Sequence, residues 1–185
     1  MIIDRAKDVG KLACGEAFAP QFIENKLKFS PFIGEAVAFG HDRPFVAAMI
    51  AINGETVSSW ADRQGIAYGS YQDLSASPHV RALIRDEIRK CNAGVPKAAR
   101  IRRFMLLNKE LDADDNEVTR TRKIRRRFVG EKYKAVIDAL YGGCSDVELV
   151  ADITFEDGRK STIRSNVAIE DADETPPTSL EPAHA

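Results

Sequence analysis

The sequence predicts an α+β domain that closes with a β-hairpin, and three observations carry this. Two apolar runs of strand length, residues 36–39 and 45–52, flank the turn-like stretch GHDRP at 40–44. Helical apolar stripes open just after Pro20 and Pro78, where a proline suits the first turn. Near the end, Asp157 and Gly158 sit between the extended runs 147–155 and 160–169, a strong short-range hairpin signal.

In chain order, residues 1–4 read as a strand, and the segment around Gly10 and Gly15 as a hairpin-like turn ending at Phe18. Gly15 sits where a tight turn or a close backbone approach calls for a residue tolerant of positive φ. From Pro20, the residues Phe22, Ile23, Leu27 and Phe29 keep a helical apolar stripe until Pro31 stops it. After the 36–52 hairpin, residues 54–65 predict a helix carrying Val57 and Trp60, then a loop with Tyr68 and Tyr71. Pro78 announces a helix over 79–93, with Val80, Leu83, Ile84 and Ile88 on one face. Residues 102–107 read as another strand. A basic segment then opens a helix over 123–141, with Ile124, Phe128, Val136, Ile137 and Leu140 apolar. Past Gly142 and Gly143 the hairpin reads as a separate small β element. Residues 171–185, with four acids, three prolines and no Lys or Arg, read as a disordered acidic tail. The expected division is thus 1–142, 143–170 and 171–185.

The 185 residues carry 27 Lys+Arg against 28 Asp+Glu, a net charge of −1, and 44% are hydrophobic. That suits one domain with room for an appendage and excludes a wholly disordered chain. The longest apolar run, 45–52, falls short of the roughly 18 residues a membrane helix needs. No apolar core of a signal peptide precedes the first charges, so the chain reads as cytoplasmic, with a peripheral place at a membrane left open. Cys14, Cys91 and Cys144 lie far apart and read as free thiols. GxxxxGK[ST], GxGxxG, HExxH and GxSxG are absent, and His41, His79 and His184 are scattered without a positioned partner. The charge is uneven locally. Residues 119–134 hold eight bases and one acid, Glu131, directly after the acidic stretch 110–117.

Two stretches resemble a known family. DRAKDVGKLACGEAFAPQFIENKLKF, residues 4–29, is similar to the hinge and following hairpin of AMP-forming adenylating enzymes. More narrowly it resembles the long-chain acyl-CoA synthetases, whose pattern there is roughly [GD]R-x-K-[DE]…G…APxxIE. Residues 111–127, centred on TRTRKIRR from Thr119, look like that family's C-terminal lysine motif, LTxTxKxRR. Between them, EAVAFG at 35–40 and residues 44–52 match the expected paired strands. The resemblance covers about residues 1–141 and implies the family's C-terminal lid domain, a small mixed sheet with flanking helices.

It also implies a two-step ligase reaction with ATP, Mg²⁺ and CoA as substrates, none held tightly by this chain. A fatty acid attacks ATP to give an acyl-adenylate and pyrophosphate, and the CoA thiol then displaces AMP. On that pattern Arg5 contacts the nucleotide ribose, a task suited to a rigid fork of donors. Lys7 is the hinge about which the lid turns between the steps. Gly15 lies on the loop that meets the pantetheine arm, and Lys123 reaches into the adenylation site to neutralise developing charge. Arg125, Arg126 and Arg127 are candidate contacts for a CoA phosphate. Cys14 departs from the small or polar residue usual there. The family's ATP loop and fatty-acid tunnel belong to a large N-terminal domain, and Met1 falls at the hinge. The chain is therefore expected to be the lid portion of a ligase, inactive alone, with that domain as partner; a truncated product and one half of a split enzyme fit equally. Two other classes compete. The basic segment 120–127 could serve a non-catalytic binding module on phosphate backbones, although the balanced charge and missing RNP, KH and zinc-finger patterns argue against nucleic acid. Alternatively, the terminal hairpin could dock another chain along its edge.

Overall fold

The computed structural model describes residues 9–121, 123–154 and 160–173. Strands β1 (Gly10–Lys11) and β2 (Ala17–Phe18) form a small antiparallel hairpin. Helix α1 (Pro20–Leu27) leads to β3 (Ile33–Phe39) and β4 (Val46–Ile52). Three helices follow, α2 (Gly54–Gln64), α3 (Tyr71–Ala76) and α4 (Pro78–Ala93), before β5 (Ile101–Leu106). Helices α5 (Arg126–Lys132) and α6 (Lys134–Tyr141) precede β6 (Asp146–Thr154) and β7 (Lys160–Asp171).

The main sheet runs β3-β4-β5-β7-β6. Only β4 and β5 pair in parallel, so the sheet is mixed, as expected. The parallel step is carried by α2–α4, which cross over one face. Every residue of β4 is buried, and its two-residue period splits it between two cores. Ala48, Ile50 and Ile52 pack with Ile23 and Leu27 of α1, Val57 of α2 and Ile84 and Ile88 of α4. Ala47, Met49 and Ala51 pack with Val129 of α5, Leu140 of α6, and Leu149 and Val167 of the terminal hairpin. A strand covered on both faces reads as an unbroken apolar run, which is why VAAMIAI was legible.

Local signals place the helix ends. Asn53 Oδ1 accepts the Thr56 N–H at 3.0 Å to open α2, and Gly65 closes it with φ +69°. The loop expected around Tyr71 contains α3 instead. Ser70 Oγ accepts the Asp73 N–H at 3.2 Å and donates to Asp73 Oδ2 at 3.0 Å, while Asp73 Oδ2 also takes the Gly69 N–H at 3.0 Å, a helix cap visible in the sequence as S-x-x-D. Helix α1 ends at Leu27, so Phe29 leaves the stripe and stands 88% exposed.

The terminal hairpin forms with Val147 opposite Val167. It is not separate. Strand β7 pairs with β5 at Arg103↔Asp171, Phe104↔Glu170 and Met105↔Ile169. Arg81 and Arg85 of α4 both bind Glu170, tying the hairpin to the helical layer. The start of the expected tail also belongs to the fold, because Ala172 is fully buried and donates its N–H to Arg102 O at 2.8 Å. The expected strand 1–4, the turn 156–159 and the tail from 174 onward lie outside the described residues. Among the described residues no helix is long and apolar enough to cross a membrane.

Candidate functional site

Lys123 does not open a helix. It sits on an exposed loop whose strands are held together by the pair Val118 and Ile124. The Thr119 N–H donates to Lys123 O at 2.8 Å, and the Lys123 N–H donates to Thr119 Oγ1 at 3.0 Å. One threonine thus holds both backbone polar groups of the lysine, which a helix would have used along its own axis. The Arg125 N–H closes the loop onto Glu117 O at 2.8 Å. Helix α5 begins after that at Arg126 and breaks at Tyr133, whose ring is buried and whose hydroxyl donates to Glu117 Oε1 at 2.6 Å. The single helix expected over 123–141 is therefore a loop and two short helices.

The base of this loop rests on buried charge. Glu117 is fully buried and accepts from Lys132 Nζ at 2.8 Å, Lys109 Nζ at 3.0 Å and the Asp112 N–H at 3.1 Å. Lys109 also binds Asp115. Burial alone would push the Glu117 carboxyl up; the bonds from Lys132, Tyr133 and Lys109 outweigh it and hold it below the usual carboxylate range. Lys109 is held above its ordinary value, its two carboxylate partners outweighing burial. Because folding lowers the Glu117 value, its stabilisation is complete above the unfolded value of about 4.3 and is lost as pH falls through the folded one. Glu117→Gln is therefore expected to lower the melting temperature at neutral pH and to flatten its fall in acid; an unchanged acid slope contradicts this.

Arg126 is claimed by the fold. Its guanidinium meets Glu24 of α1 at 2.7 and 2.8 Å and donates to Ala38 O at 3.0 Å. Glu24 in turn accepts the Ala38 N–H at 2.7 Å. Arg126 is thus a bolt between α5, α1 and β3 rather than a free phosphate contact. Arg125 bonds Asn116 Oδ1 at 2.6 Å and lies 5.7 Å over the Phe128 ring, and Arg127 pairs with Glu131 at 3.1 Å with its side chain 93% exposed. Lys123 and Arg126 share a groove of about 390 Å³ with Gln21, Glu24, Lys28 and Glu35. Among the described residues the Lys123 ammonium has no ion-pair partner, and the residue is exposed.

Gly15 stands apart, at the turn between β1 and β2, with φ +91°. A Cβ there would meet only Lys11 Cε, at 3.8 Å, so the backbone and not crowding requires glycine. The hairpin itself is pinned: the Ala13 N–H donates to Arg43 O and the Asp42 N–H to Lys11 O, both at 2.9 Å. Phe18 lies so close to Gly40 that a Cβ there would stand 2.7 Å from its ring. Gly15→Ala is expected to cost about 1.5 kcal/mol in urea unfolding; a loss near zero would show that the turn relaxes. Cys14, beside it, is exposed with its Sγ 3.7 Å from Glu16 Oε2. Arg5 and Lys7 lie outside the described residues.

Sequence reasoning missed Glu117, Lys109, Lys132 and Tyr133. The signal was there, an isolated apolar Val118 after a run of acids and a tyrosine inside a basic helix, but their meeting is a tertiary event.

The sequence matches the family described as the AMP-binding enzyme C-terminal domain over residues 7–145. It is similar to the long-chain-fatty-acid–CoA ligase FadD15 of Mycobacterium tuberculosis, 34% identical over 141 residues that cover 76% of this chain and 24% of that protein. It is 30% identical over 143 residues to long-chain-fatty-acid–CoA ligase 1 of Homo sapiens, covering 76% of this chain and 20% of that one. The chain thus spans about a quarter or less of the length of these curated relatives. Among solved structures, the adenylation domain of a carboxylate reductase from Mycobacterium chelonae superposes with a TM-score of 0.60 at 24% identity, covering 76% of this chain and 20% of that one, a likeness of fold.

Proposed function

The chain belongs to the AMP-binding enzyme C-terminal domain family, and from that premise we propose that it acts as the lid of a long-chain fatty acid:CoA ligase. The observation that carries this is Lys123, whose ammonium has no ion-pair partner among the described residues and which sits on an exposed loop with its backbone held by Thr119. An ammonium held this way can be carried as a unit into a site on another domain. There it neutralises charge that builds on carboxylate and phosphate oxygens as the fatty acid attacks ATP. ATP, with Mg²⁺ as its counter-ion, and then CoA are the substrates of the assembled enzyme, and the pocket for them lies mainly on a large N-terminal domain. This domain is the partner the lid requires, and the reaction belongs in the cytoplasm.

In the second step the lid turns about Lys7, and the β1–β2 hairpin with Gly15 meets the pantetheine arm. Arg5 holds the ribose. Arg125 and Arg127, the two less committed arginines, are exposed and can meet a CoA phosphate. Proline at position 7 fixes φ and removes a donor, so Lys7→Pro is expected to allow one half-reaction and block the alternation between the two. A normal full-cycle rate in that variant would remove Lys7 from the hinge.

The test is acyl-CoA formation from a long-chain fatty acid, ATP, Mg²⁺ and CoA. This chain is assayed alone and then joined to the N-terminal domain of a related long-chain ligase. Activity only when joined is the expected result. No activity in the joined protein, with the N-terminal domain shown to bind ATP, contradicts the proposal.

A further inference from the structure

We propose that Glu117 and Thr119 form a positioning device for Lys123, in which the buried carboxylate anchors the base of the loop and the threonine hydroxyl clasps the lysine backbone. The inference rests on the reading of Lys123 as the adenylation lysine, and assigns it two residues that never touch substrate.

The loop has little apolar anchorage of its own. Val118 is buried and Ile124 half-buried, while Thr119, Arg120, Thr121, Lys123 and Arg125 are exposed. What fixes the loop is polar. Glu117 joins four partners from three pieces of chain: Lys109 just beyond β5, the Asp112 N–H in the acidic turn, and Lys132 at the end of α5 with Tyr133 beside it. Its own carbonyl then takes the Arg125 N–H, closing the loop eight residues later. Two residues on, Thr119 holds Lys123 by its N–H and its C=O. Thr119 Oγ1 lies 2.9 Å from Thr121 Oγ1, which limits the rotation of the clasping hydroxyl.

A buried set of charges is a poor source of stability, since desolvation offsets most of its attraction. Its best-attested use is to select one geometry among near neighbours. Two carboxylates, Asp115 and Glu117, face two ammonium groups, Lys109 and Lys132, so the cluster is neutral and leaves the ammonium of Lys123 outside it. That division of labour suits a lysine whose charge must reach another domain while its Cα stays where the fold puts it. Misplacement by about 1 Å can cost on the order of a hundredfold in rate.

The test compares Glu117→Gln, Thr119→Val, Thr119→Ser and Lys123→Ala in the full chain joined to the N-terminal domain of a related long-chain ligase. Both half-reactions are followed, acyl-adenylate formation and thioester formation from supplied acyl-adenylate. Glu117→Gln and Thr119→Val are each expected to lower kcat for adenylation about 10- to 100-fold. The KM for ATP and the thioester half-reaction should stay near wild type. Thr119→Ser keeps the acceptor oxygen and should restore most of the rate. In the unjoined chain, amide exchange over 117–125 should rise in both variants while β4 stays protected. Equal slowing of both half-reactions would mark the cluster as merely structural and overturn the proposal. Wild-type adenylation in Thr119→Val, with Lys123→Ala inactive, would overturn it while leaving Lys123 in its role. Normal adenylation by Lys123→Ala would remove the functional reading itself, and the device with it. Should Glu117→Gln fail to fold, Thr119→Val decides the matter, because Thr119 is exposed and the hydrogen bonds described for it stay within the loop.

Discussion

Lys123→Ala is expected to lower acyl-adenylate formation by about a hundredfold to a thousandfold, the range seen when one preorganised donor to a developing negative charge is removed. Thioester formation from supplied acyl-adenylate should be spared, because on the proposed function that step uses the Gly15 hairpin rather than the lysine loop. The structure gives the variant a clean background. The Lys123 side chain is exposed and carries no ion pair among the described residues, while its backbone is held by Thr119 whatever the side chain. Stability should therefore stay within about half a kcal/mol of wild type, as for ordinary surface substitutions. Quenched-flow measurement of the two half-reactions reads the split. Equal loss in both steps, or a lowered melting temperature that accounts for the loss, contradicts the role.

The second large effect is on stability. Arg126→Ala leaves Glu24 buried with its guanidinium partner gone, and the Ala38 carbonyl loses its donor. Burial already pushes the Glu24 carboxyl up against the opposing pull of Arg126, so removing Arg126 should push it up further. Breaking a fully buried pair costs roughly 3–5 kcal/mol. Here the Arg126 side chain is 38% exposed, and water screening brings the expected cost down to about 2 kcal/mol. Urea unfolding measures it. Glu24→Gln combined with Arg126→Ala should recover part of the loss, since no unpaired charge remains; a double variant as unstable as the sum of the singles contradicts the pairing.

The sequence made the central strands and helices α1, α2 and α4 legible because their signals are local. VAAMIAI is apolar throughout since β4 is covered on both faces, and Pro20 and Pro78 mark helix starts by backbone chemistry alone. The lysine loop was legible as a motif and not as a structure. Its apolar spacing through Ile124, Phe128 and Val136 imitates a helix, and nothing local reveals that Thr119 takes the backbone groups of Lys123. Arg126 read as one base among three, since its partner Glu24 lies 102 residues away in sequence. The terminal hairpin looked independent for the same reason. Its Asp-Gly turn is a local signal, whereas the pairing of β7 with β5 and the grip of Arg81 on Glu170 depend on distant residues.

The central claim is that Lys123 leaves solvent and enters a nucleotide site on another domain. The most direct measurement is the rate of amine labelling at Lys123 in the joined protein, with and without ATP and a long-chain fatty acid, read residue by residue by mass spectrometry. Lys90 on α4, 72% exposed and far from the loop in sequence, is the internal control. Sharp slowing at Lys123 with the substrates present, and none at Lys90, is the result the account requires. Labelling of Lys123 at one rate under both conditions would mean that its ammonium stays in water, and would contradict it.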